Sequence, residues 1–546
     1  MTLAEKITHL RINGGMSQEQ LATALMVARQ SISKWEKGES YPQVDKIMDI
    51  CKLFKVSADD LLNNEKIINL NKSPIVPATP RKNKYFGTDG FRGESNKTLN
   101  AMHAFKVGRF LGWYYSQLKF TSKHLKNDGK ARIVIGKDTR RSSYMFEYAL
   151  CAGIVSSGAN AYILHVTTTP SVSYITRTEG FDCGVMITAS HNVFYDNGIK
   201  VLNEKGEKLS DEVTALIEAY IDGDMETLGV KEDDIPLATR ENVGSVVDWV
   251  GGRNRYIAYL ISTISTSFRD LNIGLDCANG SSWMIAKNVF QTLGANVRVI
   301  GDIPDGLNTN LDCGSTHIEQ LCQLVKDEHL DCGFAFDGDA DRCLAVDSKG
   351  NVVDGDKILY ILAKRSKSRK YLYNDTVVTT IMSNSGLAKA LKKIGIKNVQ
   401  TDVGDRFVYE EMMKNNYWLG GEQSGHIILR KYATTGDGIL TSIKLVEEMI
   451  QSKASLEKLC EDVHLFPQKM KNVRVVDKNV VMENEAILAK VKEINKKLGE
   501  DGRILLRKSG TEPVIRIMVE AEDENLIDKY INEVYTLIQK GGYIGE

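Results

Sequence analysis

No apolar run in this chain of 546 residues reaches the about 18 residues that a membrane span needs. Glu5, Lys6 and His9 stand where a signal peptide would carry its apolar stretch. Cysteine is sparse. The nine cysteines are odd in number and no two have CxxC spacing, which indicates neither a zinc ribbon nor a redox pair and fits reduced, mostly buried thiols in a cytoplasm. Neither sign of charge prevails: 70 Lys and Arg against 71 Asp and Glu give a net charge of -1. No field of the whole chain therefore recruits nucleic acid or membrane, and any such binding must come from a local patch. Collagen and coiled-coil periods are also missing. What is there is ordinary globular composition, 42% hydrophobic and 26% charged, with ample apolar side chain to bury. At about 150 residues per domain, the length predicts roughly four domains.

Residues 1–65 read as nearly all helix, with Pro42 their single proline and Leu21, Leu25, Ile32, Trp35, Ile47, Ile50 and Leu53 at helical spacing. Ser17 followed by Gln20 is a capping-box start, and Gly38 with Pro42 fits a helix end and a turn. Residues 66–84 carry Pro74, Pro77 and Pro80 with five basic residues and no further acid, which predicts an extended, semi-rigid linker. From residue 85 short apolar runs alternate with helical stretches, the α/β signature. A strand–helix–strand unit recurs. One copy has its strand ending near Gly136 and its second strand after Gly158; another passes through Gly274 and Gly294; a looser third runs from Val377 past Gly395. The expectation is three similar mixed α/β domains over 85–245, 246–355 and 356–465. A smaller α+β domain over 466–546 closes a central cleft, and an all-α domain precedes them. The tail is expected to hold a loop at 507–513, a strand through Ile515, Ile517 and Val519, and a last helix.

Five segments carry chemistry. In Asp337-Gly338-Asp339-Ala340-Asp341-Arg342 three carboxylates at spacing two would share one side of an extended segment. Their mutual repulsion is relieved by a divalent cation, and all-oxygen ligands favour Mg²⁺, Mn²⁺ or Ca²⁺. An EF-hand is excluded, because its sixth and twelfth positions would be Arg342 and Ser348. Thr188-Ala189-Ser190-His191-Asn192 follows the apolar run Val185–Ile187, where α/β sheets bind ligands, and offers a serine as nucleophile or phosphate carrier. On an extended segment Ser190 and His191 would point apart. Arg507-Lys508-Ser509-Gly510-Thr511-Glu512-Pro513 joins a guanidinium, two hydroxyls and a glycine amide in one tight loop, an anion nest suited to a phosphate monoester. Gly421-Glu422-Gln423-Ser424-Gly425-His426 brackets sugar-binding donors and acceptors with glycines, and Gly87-Thr88-Asp89-Gly90-Phe91-Arg92-Gly93 delivers an arginine. Singly, each also reads as a polar surface turn.

Together, in this order, the strings FGTDGFRG, IGKDTR, ITASHN, YDNGIK, LDCANG, FDGDADR, VGDRFV, GGEQSGHI, TTGDG and RKSGTEPVIRIMVEA resemble the α-D-phosphohexomutases over essentially all of residues 85–546. Gln423 is similar to the glucosamine-phosphate branch of that superfamily. The resemblance implies an intramolecular phosphotransferase that interconverts glucosamine 6-phosphate and glucosamine 1-phosphate through a 1,6-bisphosphate, feeding amino-sugar nucleotide and cell-wall precursor synthesis. It implies that Ser190 carries the phosphoryl group, primed by a sugar 1,6-bisphosphate or by prior phosphorylation. One Mg²⁺ per subunit would be held by Ser190, Asp337, Asp339 and Asp341. Arg92, His191 and Arg342 would contact the transferring group, with Lys200 as acid/base if its pKa falls well below about 10.4. Glu422 and Ser424 would read the sugar hydroxyls, and Arg507, Ser509, Gly510 and Thr511 would grip the other phosphate. The tail domain would hinge. The superfamily has proline after ASHN where this chain has Val193, which predicts a more mobile serine loop. Phosphomannomutase/phosphoglucomutase is the alternative within the superfamily, and a homodimer is left open.

Residues 1–65 resemble the lambda-repressor-like helix-turn-helix module through MSQEQLATALMVARQSISKWEKGESYP. The resemblance implies a recognition helix over Ala28–Lys37 that offers Arg29, Gln30, Ser33 and Lys34 to double-stranded DNA, anchored by Ile32 and Trp35. With eight Lys/Arg against nine Asp/Glu in the segment, a helical interaction module that no longer binds DNA is the alternative, which the basic linker partly offsets. A third reading of the whole chain is a DNA-binding regulator that uses the mutase body as a sugar-phosphate sensor.

Overall fold

The computed structural model describes residues 3–13, 16–54, 56, 58, 61, 84–121, 130–231, 234–508 and 513–545, so the linker expected at 66–84 lies outside the described residues except for Lys84. The N-terminal domain contains the helices Leu3–Asn13, Gln18–Ala24, Arg29–Glu36 and Val44–Phe54. Its second helix starts as predicted: the Gln20 N–H donates to Ser17 Oγ at 3.1 Å and the Ser17 N–H to Gln20 Oε1 at 2.8 Å. Leu21, Leu25, Ile32, Trp35 and Ile50 close its core. Arg11 ties the first helix to the third, with Nε 2.5 Å and Nη2 3.0 Å from the Glu36 carboxylate. Of the expected DNA contacts, Arg29, Gln30 and Lys34 are exposed and Ser33 is half-buried.

The first layer of the body is a seven-stranded sheet of β1 (Phe86–Gly87), β2 (Gly90–Glu94), β3 (Arg132–Lys137), β4 (Asn160–Val166), β5 (Cys183–Ile187), β6 (Asp196–Leu202) and β7 (Val246–Asp248), in the order β1-β2-β6-β5-β3-β4-β7. The short β7 pairs in parallel with Ala161–Ile163 of β4, so this sheet reaches three residues past the expected boundary at 245. The second sheet has β8 (Asn272–Asp276), β9 (Asn296–Ile300), β10 (Cys332–Phe336), β11 (Cys343–Asp347) and β12 (Val352–Val353), ordered β12-β11-β10-β8-β9. The third has β13 (Thr376–Thr380), β14 (Lys397–Thr401), β15 (Leu419–Gly421) and β16 (Ile427–Leu429), ordered β14-β13-β15-β16.

The recurring unit is visible in each layer. The parallel pairs β3/β4, β8/β9 and β13/β14 are joined through the helices Arg141–Ser156, Ile285–Thr292 and Ser385–Lys393. Each helix gives way to the next strand at a glycine with left-handed φ: Gly158 at +89°, Gly294 at +103° and Gly395 at +69°. A side chain there would be strained, which is why the sequence marks all three turns with the same residue.

The tail sheet of β17 (Gln468–Arg474), β18 (Gly502–Lys508) and β19 (Val514–Ala521) is antiparallel with β19 central. Ile515, Ile517 and Val519 alternate inward against the last helix, Glu524–Lys540. The second and third layers share one core, crossed by the buried helix Gly438–Ser452, while the first layer, the tail and the N-terminal domain each close a core of their own. At the start of the body the N–H groups of Lys84, Tyr85 and Phe86 all donate to the Glu218 carboxylate, each at 2.7 Å. The cysteines are free and, Cys322 excepted, buried. Among the described residues no helix is long and apolar enough to cross a membrane.

Candidate active site

Ser190 follows β5 and is fully buried, with φ +53°. That left-handed backbone overturns the expectation drawn from an extended segment. The turn brings Ser190 Oγ within 3.3 Å of His191 Nδ1, and the hydroxyl donates to Asp337 Oδ2 at 2.5 Å.

The aspartates likewise lie in the turn between the antiparallel strands β10 and β11, with Ala340 at φ +55°, and not on an extended segment. The turn achieves what spacing two was expected to do. Carboxylate oxygens of Asp337, Asp339 and Asp341 lie within 4.8 Å of one another, and all three residues are buried. A Cβ on Gly338 would stand 2.6 Å from the Ser190 carbonyl oxygen, so only glycine lets this turn reach the serine loop. Burial and the two other aspartates push the Asp337 carboxyl well above the usual range. Asp339 Oδ1 and Asp341 Oδ1 are buried and accept no hydrogen bond. Three converging carboxylates with spare buried lone pairs and no sulfur or imidazole in the set fit a hard divalent cation such as Mg²⁺.

Lys200, on β6, lies against the trio. Its Nζ is 2.8 Å from Asp339 Oδ2, 3.1 Å from Asp341 Oδ2 and 3.1 Å from Asp89 Oδ2. Burial disfavours its charge, but these three carboxylates outweigh burial and hold the ammonium well above its ordinary pKa. The depressed pKa expected of a base is thus not what these neighbours produce. His191 goes the other way: burial, then Arg342 and Arg92, lower it to about 3. It is a neutral imidazole beside the serine hydroxyl.

Arg92 is held by Asp89 and by Asn192, whose Oδ1 accepts from Nη1 at 3.3 Å. The Arg342 N–H donates to Asp337 Oδ1 at 3.2 Å. The Nε of both arginines is buried without a hydrogen-bond partner. Asp89 also accepts from Lys208, which bridges at 2.6 Å to Asp405 of the third layer. Glu422 and Ser424 sit in the turn between β15 and β16, Glu422 half-buried and accepting the Gly404 N–H at 3.1 Å, Ser424 exposed. Gln423 Nε2 reaches Asp354 Oδ2 at 3.4 Å.

Arg507, the last residue but one of β18, lies directly opposite Arg516 on β19. Burial and the facing Arg516 lower the Arg507 pKa, and Arg516 Nε is buried without a partner. Two guanidiniums facing each other across a strand pair make an anion cradle. Ser509, Gly510 and Thr511, expected in the same cradle, lie outside the described residues. Arg516 was not singled out from the sequence. Its alternation with Ile515 and Ile517 was readable, but its pairing depends on a register that was not. Asp89 and His426, within FGTDGFRG and GGEQSGHI, also reach the cluster of Lys200 and the aspartates. His426 Nδ1 stands 3.7 Å from Asp341 Oδ1.

Val193, where proline was expected, has its backbone tied down. Its carbonyl accepts from Arg140 at 2.5 Å, and the neighbouring carbonyls are held as well.

Layered α/β domains that bring a strained buried serine against a carboxylate trio, with arginines on both sides, define a phosphohexomutase, an intramolecular phosphotransferase of the isomerase class. Sequence comparison agrees. Profiles of the phosphoglucomutase/phosphomannomutase family match its α/β/α domain I at residues 83–227, domain II at 254–350, domain III at 354–466 and the C-terminal domain at 470–537, and a helix-turn-helix profile matches 7–61. The chain is 57% identical to the phosphoglucosamine mutase of Lachnospira eligens over 84% of its own length and 99% of that protein. It is 46% identical to that of Bacillus subtilis over 84% and 98%. The chain belongs to the phosphoglucosamine mutase family and carries a fused helix-turn-helix domain. Solved structures share the fold: a phosphoglucomutase/phosphomannomutase family protein from Burkholderia thailandensis (TM-score 0.67, 21% identity, 83% of this chain and 97% of that one) and Aspergillus fumigatus N-acetylphosphoglucosamine mutase in complex with GlcNAc-6P and magnesium (TM-score 0.58, 16% identity, 84% and 96%).

Proposed function

We propose that the body interconverts glucosamine 6-phosphate and glucosamine 1-phosphate with Ser190 as phosphoryl carrier. The observation that carries this reading is the Ser190 hydroxyl 2.5 Å from Asp337, one member of the carboxylate trio. The C1 hydroxyl of the sugar attacks the phosphorus of phospho-Ser190 while the bond to Ser190 Oγ breaks, giving the 1,6-bisphosphate. Ser190 then attacks the phosphorus at C6, the bond to the C6 oxygen breaks, and glucosamine 1-phosphate leaves. Neutral His191, 3.3 Å from Ser190 Oγ, would hold the proton there. Arg92 and Arg342 bring positive charge to the transferring group, and the Lys200 ammonium neutralises the carboxylates beneath it. Asp337, Asp339, Asp341 and an oxygen on Ser190 would hold Mg²⁺, which when bound supplies charge neutralisation at the phosphoryl group. Arg507 and Arg516 would grip whichever phosphate is not reacting. A tail with its own core suits the reorientation that the bisphosphate requires between half-reactions.

Treatment with glucose 1,6-bisphosphate is expected to add about 80 Da, one phosphoryl group, to the peptide containing Thr188–Asn192. A coupled assay is expected to rank glucosamine 6-phosphate above mannose and glucose phosphates. The added mass on another peptide would remove Ser190 as carrier, and a reversed ranking would move the chain to the sister branch.

For the N-terminal domain we propose double-stranded DNA as partner, contacted by Arg29, Gln30, Ser33 and Lys34. Exposed Arg29, Gln30 and Lys34 on a helix braced by Ile32, Trp35 and the Arg11–Glu36 pair support this. In gel shifts the affinity for duplex DNA should fall steeply between about 50 and 200 mM salt and fall further in the Arg29→Ala, Lys34→Ala double variant. Retardation indifferent to both would exclude this contact face. Repeating the titration with glucosamine 6-phosphate tests whether the body signals to the module; identical affinities would remove that link.

A further inference from the structure

A serine with left-handed φ is disfavoured by its own Cβ and persists only where its surroundings hold it. Here the holding groups can be named. The Ser190 carbonyl oxygen accepts from Arg140 Nη2 at 2.9 Å and from Asn310 Nδ2 at 2.8 Å. The same two nitrogens donate to the Asn192 carbonyl at 2.9 and 3.0 Å, and Arg140 Nη1 donates to the Val193 carbonyl at 2.5 Å. Two side chains thus occupy three carbonyls of one short turn.

Each clamp is itself fixed. Arg140 is completely buried, and its Nε donates to Asp138 Oδ2 at 2.8 Å, while Asp138 accepts in addition from Ser143 Oγ at 2.7 Å. Asn310 comes from the second layer. Its N–H donates to the Ala278 carbonyl at 2.9 Å, and its neighbour Thr309 meets Thr139 of the first layer, oxygen to oxygen, at 3.0 Å. A Cβ on Gly338 would lie 3.1 Å from Asn310 Nδ2 as well as 2.6 Å from the Ser190 carbonyl. The serine turn, the asparagine and the aspartate turn therefore meet at one point.

We propose that Arg140 and Asn310 are positioning residues for phosphoryl transfer: by clamping the carbonyls of the serine turn from two layers, they hold the conformation that aims Ser190 Oγ at the aspartate trio. Neither touches the phosphoryl group. With the carbonyls released, the turn relaxes toward ordinary φ and Oγ leaves the trio, although the sugar and distal-phosphate contacts in the third layer and the tail are untouched. The inference rests on Ser190 as carrier.

Asn310→Asp keeps the side chain's shape but turns the donor into an acceptor facing two carbonyls. Arg140→Lys keeps the charge beside Asp138 but lacks the fork that spans three oxygens. Both are assayed in the full-length protein for kcat, KM for glucosamine 6-phosphate, and melting temperature, beside the parent and Ser190→Ala. The expected result is a kcat lower by about 100-fold, the scale of a small misplacement of a reacting group. KM should be unchanged, because ground-state binding is intact. The single-turnover rate of Ser190 phosphorylation by glucose 1,6-bisphosphate should fall in step. Unimpaired kcat in either folded variant would overturn the clamp, as would a loss that disappears on assay well below the variant's melting temperature. Inactive Ser190→Ala beside unimpaired clamp variants removes the clamp alone, whereas a fully active Ser190→Ala protein removes the carrier reading beneath it.

Discussion

Ser190→Ala is expected to lower turnover of glucosamine 6-phosphate by about 10⁴-fold or more, the scale seen when a covalent carrier is deleted. The substitution removes one oxygen and nothing else that the transfer uses. Arg92, Arg342, Lys200 and the aspartates remain, but the bisphosphate has no acceptor for the phosphoryl it must return. The fold should survive, because the turn is held through the Ser190 and Asn192 carbonyls, which alanine retains. Asp337 loses its hydroxyl partner, and its carboxyl, already pushed up by burial and two like charges, simply holds its proton more readily. The checks are a coupled assay and a melting curve on the same preparation. Parental turnover with parental stability would be incompatible with a serine carrier.

Asp339→Asn should be nearly as severe, about 10³-fold in kcat, because the charge that neutralises a moving phosphoryl group is the main contribution such enzymes make. The substitution keeps the side chain's size and its contacts with Thr169 and Lys200, reached at 2.5 and 2.8 Å, but gives up one of the three carboxylates. A readout independent of activity is available. At a hundred times its Kd, Mg²⁺ should stabilise the parent by about 2.7 kcal/mol through binding to the native state alone. The variant should show little of that shift. Equal stabilisation of both proteins by Mg²⁺ would take the metal away from these aspartates.

Much of the scaffold could be read from local signals, because each was a matter of a few residues. The capping pair Ser17 and Gln20, the alternation of Ile515, Ile517 and Val519, and the glycines at 158, 294 and 395 depend on geometry within one turn or strand. What stayed hidden was long-range or counter to residue type. Asn310 lies 120 positions from the serine whose carbonyl it holds, and Arg516 acquires meaning only from its register opposite Arg507. The left-handed serine was invisible because only glycine advertises such a backbone, so the neighbours Ser190 and His191 were expected to diverge. The raised pKa of Lys200 was hidden for a related reason. Its arginine neighbours were foreseeable from the motifs, but the contacts with Asp89, Asp339 and Asp341, which outweigh them, appear only when strands β2 and β6 are packed against the aspartate turn.

The grip of Glu218 on the three amides of Lys84, Tyr85 and Phe86 bears on how a catalyst tolerates a passenger. Asp89 and Arg92 follow within a few residues of those amides, so any pull on the chain upstream must first tear three hydrogen bonds from a buried acid before it is felt in the cleft. The mooring insulates the chemistry mechanically. A new module can be spliced ahead of Lys84, and can wander or seize a partner, without the enzyme having to be retuned.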